Sequence, residues 1–160
     1  MPRQTQEAIY PLTLSPRAVW VRNWLMEYVE AIDASEIIAK AMRIHLSLLR
    51  AHEKKKTLLY QKNGHKPFPL PLLNPISQIN LPDEADRETE ETFRVSFAGR
   101  SLQALERLQL ISAIQDVSRL VENALSVFYE IVSRTFQSQI FFVRDGNTSW
   151  LEKIEICSFM

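Results

Sequence analysis

The sequence predicts an α-rich α+β domain. It has three main helices, one long and heptad-like, with a small antiparallel sheet and a C-terminal β-hairpin. Three observations carry this expectation. Leu110, Ile114, Val117, Val121, Ala124, Phe128 and Ile131 step by alternating fours and threes, the period of a helix seam. Ser15-Pro16 and Asp33 precede periodic apolar runs, as helix caps do. Asp145-Gly146 separates two strand-like runs, which is a strong hairpin signal. With only 3 glycines in 160 residues, a turn-dense all-β fold or a glycine-rich phosphate loop is disfavoured.

The elements follow in order. Residues 8–14 read as a short extended segment that Pro11 confines to a sheet edge. The first helix starts at Ser15 and runs to about Ile32, with Val19, Trp20, Leu25, Met26 and Val29 on its apolar face. Trp24 and Tyr28 broaden that face. Asp33, with Ser35 as the alternative cap, opens a second helix whose stripe runs from Ile37 through His45, Leu48 and His52 to Leu59. Asn63-Gly64 is its stop signal, since both residues tolerate a left-handed conformation. Five of the eight prolines fall in 67–82, which excludes helix from the start of that stretch. The stretch is nevertheless apolar, so it is expected to lie across a hydrophobic surface. Residues 83–92 are acidic and read as a mobile loop. Residues 93–97 alternate as a half-buried strand does. Gly99 ends it, and Ser101 is positioned to cap a third helix over about 101–136. Gln139–Val143 and Thr148–Phe159 form the hairpin strands. The chain reads as a single domain, 1–160, with 67–92 as a connector between helical parts.

Zero net charge hides a split. Residues 1–66 carry 11 Lys and Arg against 6 Asp and Glu, residues 67–92 carry 1 against 6, and residues 93–160 carry 7 of each. A polarised surface points to a polyanion or a protein partner rather than small-molecule chemistry. The single cysteine, Cys157, has no intrachain partner, as expected for a cytoplasmic protein. Its apolar neighbours make it a small hydrophobe rather than a reactive thiol. The first ten residues read as lacking a secretory signal. Pro2 stands where N-myristoylation needs glycine. No apolar run reaches the roughly 18 residues of a membrane span, so no membrane partner is expected.

The basic segment supplies the candidate binding residues: Lys40, Arg43, Arg50, Lys54, Lys55, Lys56, Lys62 and Lys66, with Tyr60 to stack on a base. Arg43, Arg50 and Lys54 fall near one helix face, and neutralising Lys54, Lys55 and Lys56 is expected to weaken nucleic-acid binding. The acidic stretch 83–91 is expected to fold back on this face. Leu110, Ile114, Val117, Val121 and Phe128 are the candidate protein interface, with self-association through the third helix as its simplest form.

Catalytic equipment is thin. His45 and His52 are seven apart, whereas chelation from one helix prefers three or four. G-x-S-x-G, P-loop and dinucleotide patterns are absent. No metal or cofactor is expected. The leading expectation is therefore a non-catalytic subunit or adaptor of a protein or ribonucleoprotein assembly. The alternatives are a nucleic-acid-binding protein using 40–66, and a small helical enzyme or nuclease built on Arg43 or Arg50 with His52.

Overall fold

The computed structural model describes residues 7–31, 33–72, 75–137, 139–146 and 151–154. In chain order the elements are β1 (Glu7–Leu14), α1 (Pro16–Tyr28), α2 (Ala34–Glu53), β2 (Lys56–Gln61), β3 (Phe68–Pro69), a 3-10 turn (Asp83–Arg87), β4 (Glu91–Ala98), α3 (Arg100–Ser112), α4 (Val117–Phe136), β5 (Ile140–Asp145) and β6 (Leu151–Ile154). The class is mixed α and β, with four α-helices and two small antiparallel sheets among the described residues.

Local chemistry explains the helix starts. Ser15 caps α1 by accepting from the Ala18 amide, and its hydroxyl donates to Glu122 at 2.6 Å, tying that cap to α4. Asp33 caps α2 by accepting from the Glu36 amide at 2.9 Å. The helices pack on one another, with α2 against α1, α3 and α4, and α4 also against α1 and β1. Phe128, Leu120, Leu125, Ile37, Ile38, Met42 and Leu105 lie fully inside.

β1 and β4 form a two-stranded sheet, registered from Glu7↔Ala98 to Leu14↔Glu91. Leu12, Leu14, Val95 and Phe97 turn into the core while their neighbours face out. The other sheet has the order β3-β2-β5-β6. The Pro-rich connector lies on the chain's own core, burying Leu70, Ile76 and Ile79. Arg17 clasps it, donating from Nε to the Ile76 carbonyl at 3.1 Å and from Nη2 to the Ile79 carbonyl.

Several expectations are corrected. The second helix ends at Glu53, because Lys55 adopts a left-handed φ of 62°. The chain then extends as β2, which pairs with β5 from Lys56↔Asp145 to Gln61↔Ile140. The hairpin therefore joins β2, while 93–97 and 8–14 pair with each other. β5 also runs on through Arg144 and Asp145, which the sequence assigns to the turn. The expected third helix is two. Ala113 is left-handed at φ 59°, and Asp116 caps a new start by accepting from the Ser118 amide at 3.0 Å. Gly99, not Ser101, occupies the α3 cap position, and Ser101 instead bonds back to the Ala98 amide and carbonyl.

The acidic stretch is not a loop folded on the basic segment. Asp86 pairs with Arg17 at 3.3 Å, and Glu91 takes both arms of the Arg22 guanidinium, at 2.5 and 3.0 Å. Those Arg22 hydrogen bonds hold the Glu91 carboxyl below its ordinary range. Ile32, the expected end of the first helix, lies outside the described residues, as do the hairpin residues 147–150 and the segment 155–160 with Cys157.

Candidate functional site

A cleft of about 570 Å³ runs between α2 and α3. α2 contributes Arg43 and Arg50, α3 contributes Arg100 and Arg107, and Leu46 and Ala104 are buried beneath them. Each arginine pair is seven residues apart, which is two turns on one helix face, or roughly 10 Å at 1.5 Å per residue. All four arginines are exposed, and none makes an ion pair with another described residue. Among the described residues, Glu106 is the only carboxylate lining the cleft. The α3 N-terminus bears Arg100 and has no acid in its first turn, so its backbone amides add to the positive potential.

Four arginines lining one groove supply a set of donors suited to phosphate or carboxylate oxygens. Each guanidinium stays charged at any physiological pH and can donate two parallel hydrogen bonds to one anion. With no ion pair to another described residue, these donors are left for an external anion.

The structure does not bring all the predicted basic residues to one place. Arg43 and Arg50 line the cleft. Lys40 turns away, donating to the Glu30 carbonyl at 2.9 Å and lying 3.6 Å from Glu36. Lys54, Lys55 and Lys56 occupy the exposed α2–β2 junction and do not line the cleft. Lys62 and Lys66 are exposed in the β2–β3 loop. Tyr60 is already stacked, with the Arg134 guanidinium 3.8 Å from its ring centre and Phe68 at 6.1 Å. Arg100 and Arg107 were missed, because the equal charge count of 93–160 conceals them. Their spacing of seven, matching Arg43 and Arg50, is the signal that could have found them.

The seam proposed for self-association is spent inside the chain. Val117, Val121 and Phe128 are buried, Ile114 is half-buried, and only Leu110 is exposed. The physical reason is that α1, α2 and β1 wrap α4.

The histidines do not converge with the arginines. His52 borders a separate apolar pocket with Leu49, Leu58 and Leu70. His45 is fully buried, and its Nε2 lies 2.7 Å from the Leu72 carbonyl. A carbonyl only accepts, so Nε2 carries the proton and Nδ1 is left buried without a partner. Among the described residues, no group of three or more His, Cys, Asp and Glu is placed to share a metal ion. Among the described residues, no helix is long and apolar enough to cross a membrane.

Burial pushes the His45 pKa below its ordinary 6.5, and the Leu72 hydrogen bond opposes this in part. The folded protein therefore keeps a neutral ring where the unfolded chain has already taken up a proton. The contribution to stability is complete above pH 6.5 and declines as pH falls toward the depressed value. Urea midpoints should thus drop between pH 7 and pH 5, and His45→Gln should lessen that drop. A drop of the same size in the variant would exclude His45 as its source.

No protein-family model, curated protein or solved structure matches the chain. The functional reading therefore rests on the cleft itself.

Proposed function

We propose that this chain is a non-catalytic binding subunit that holds a phosphate-bearing polymer, a single-stranded nucleic acid, in the cleft between α2 and α3. The observation that carries this reading is the convergence of Arg43, Arg50, Arg100 and Arg107 from two helices, none of them ion-paired with another described residue. Guanidiniums neutralise phosphates and release condensed counterions, so affinity for such a polymer falls steeply with salt. The reading joins the subunit and nucleic-acid expectations, since an adaptor in a ribonucleoprotein has to grip its polymer. It assigns no catalytic role to His45 or His52, neither of which lines the arginine cleft.

The test is an anisotropy titration of labelled single-stranded RNA and DNA at several salt concentrations. Binding should weaken linearly on a logarithmic salt scale. Arg43→Gln with Arg50→Gln should flatten the slope by about one unit per arginine. A salt-independent affinity, or an unchanged slope in the double variant, would reject the cleft as the phosphate site.

A further inference from the structure

A second groove, of about 600 Å³, lies between α1, α4 and the 3-10 turn and shares no residue with the arginine cleft. Five aromatic rings line it. Trp24 is central, with ring centres of Tyr28 at 4.6 Å, Tyr129 at 4.9 Å and Phe136 at 6.0 Å. Trp20 meets Tyr129 at 5.8 Å, and Tyr28 meets Phe136 at 5.4 Å. Most of these pairs are edge-to-face, so the rings pack as one aromatic cluster along the groove. Tyr28 and Phe136 are 49% and 59% exposed, which makes this an open trough rather than a closed cage.

The rim is acidic. Glu27, Glu84 and Glu88 line the groove, and none makes an ion pair with another described residue. The nearby cations are committed elsewhere: Arg17 to Asp86, Arg22 to Glu91 and Arg134 to Glu130. Arg87, the cation of the 3-10 turn, does not line the groove. Electron-rich ring faces attract cations, and three free carboxylates strengthen that attraction. The same carboxylates repel phosphate, so this groove is not an extension of the arginine cleft.

We infer that this aromatic trough is a docking site for a lysine- or arginine-bearing peptide segment of a partner protein. Charge complementarity selects the basic occupant. The size and openness of the trough select a side chain carried on a peptide over a small free ammonium ion. One basic side chain lies against the exposed outer surfaces of Tyr28 and Phe136, which pack on each other and on Trp24, while its flanking backbone passes Glu84 and Glu88. Recognition is therefore divided between the chain's two flanks, with an anion held by α2 and α3 and a basic protein segment held by α1 and α4.

The test is a tryptophan-fluorescence titration of the full chain with a Lys/Arg-rich nonapeptide. An acidic peptide of equal length and tetramethylammonium serve as comparison arms. The basic peptide should give a saturable change, weakened by salt. Tyr28→Ser with Phe136→Ser should reduce affinity about tenfold, the scale of one lost cation–aromatic contact. Glu84→Gln with Glu88→Gln should weaken binding and flatten its salt dependence, and Arg43→Gln with Arg50→Gln should leave it unchanged. Absence of a saturable change, insensitivity to the glutamate variants, or equal binding of tetramethylammonium would overturn the inference. So would concentration-dependent self-association that the Tyr28 and Phe136 variant abolishes while peptide binding is missing.

Discussion

Phe128→Ala is expected to destabilise the fold by about 3–5 kcal/mol, the range for truncating a fully buried aromatic. Its side chain is 0% exposed, on the face of α4 that α1, α2 and β1 enclose. The loss combines forfeited transfer free energy with a cavity that close-packed neighbours cannot refill. Domains of this kind are stable by about 5–15 kcal/mol in all, so the variant will be marginal. The denaturant midpoint should fall at an unchanged slope. Leu110→Ala is the internal control. Leu110 belongs to the same heptad-like run but is 73% exposed, and its truncation should stay within about 0.5 kcal/mol. Comparable losses at both positions, or a Phe128 variant of full stability but altered oligomeric mass, would mean the seam faces another subunit rather than the chain's own core.

That contrast also marks how far the sequence was legible. Caps were readable because they are local: Ser15 and Asp33 bond amides three residues on. Alternation in 93–97 was readable because β4 is wet on one face, with Val95 and Phe97 inward. The switch at Lys54–Lys56 was not. Leu58 and Leu59 continue the apolar stripe of α2, and their extension as β2 is decided by β5, more than 80 residues away. Ala113 carries no sequence signal for a left-handed turn, so the seam appeared continuous across a break that Asp116 recaps.

The candidate site was half legible for a related reason. A charge count over a segment finds Lys54, Lys55 and Lys56 as readily as Arg43 and Arg50, because it weighs charges without direction. It cannot find Arg100 and Arg107, which only the packing of α3 on α2 brings opposite them. The aromatic trough was invisible in the same way. Trp24 and Tyr28 read as a broad face of one helix until Tyr129 and Phe136 met them from α4.

Charge reversal on α3 separates the packed cleft from the linear basic segment. Arg100→Glu with Arg107→Glu should weaken nucleic-acid binding about a hundredfold. A hydrogen bond to a charged group contributes about 1.5 kcal/mol at the low end of its range, roughly a factor of ten per arginine. Both side chains are exposed and make no ion pair with another described residue, so the fold should tolerate the change. Lys54→Gln, Lys55→Gln and Lys56→Gln together remove more positive charge than Arg43→Gln with Arg50→Gln. They should nevertheless alter affinity by no more than about threefold at 0.15 M salt, where screening acts over about 8 Å. The ordering is the informative result. A field that merely sums the chain's charges ranks the lysine triple with the arginines, whereas a two-helix clamp ranks α3 with α2 and both far above the lysines. If the α3 reversal leaves binding intact while the lysine triple abolishes it, the polymer follows the α2–β2 junction and the cleft is not its site.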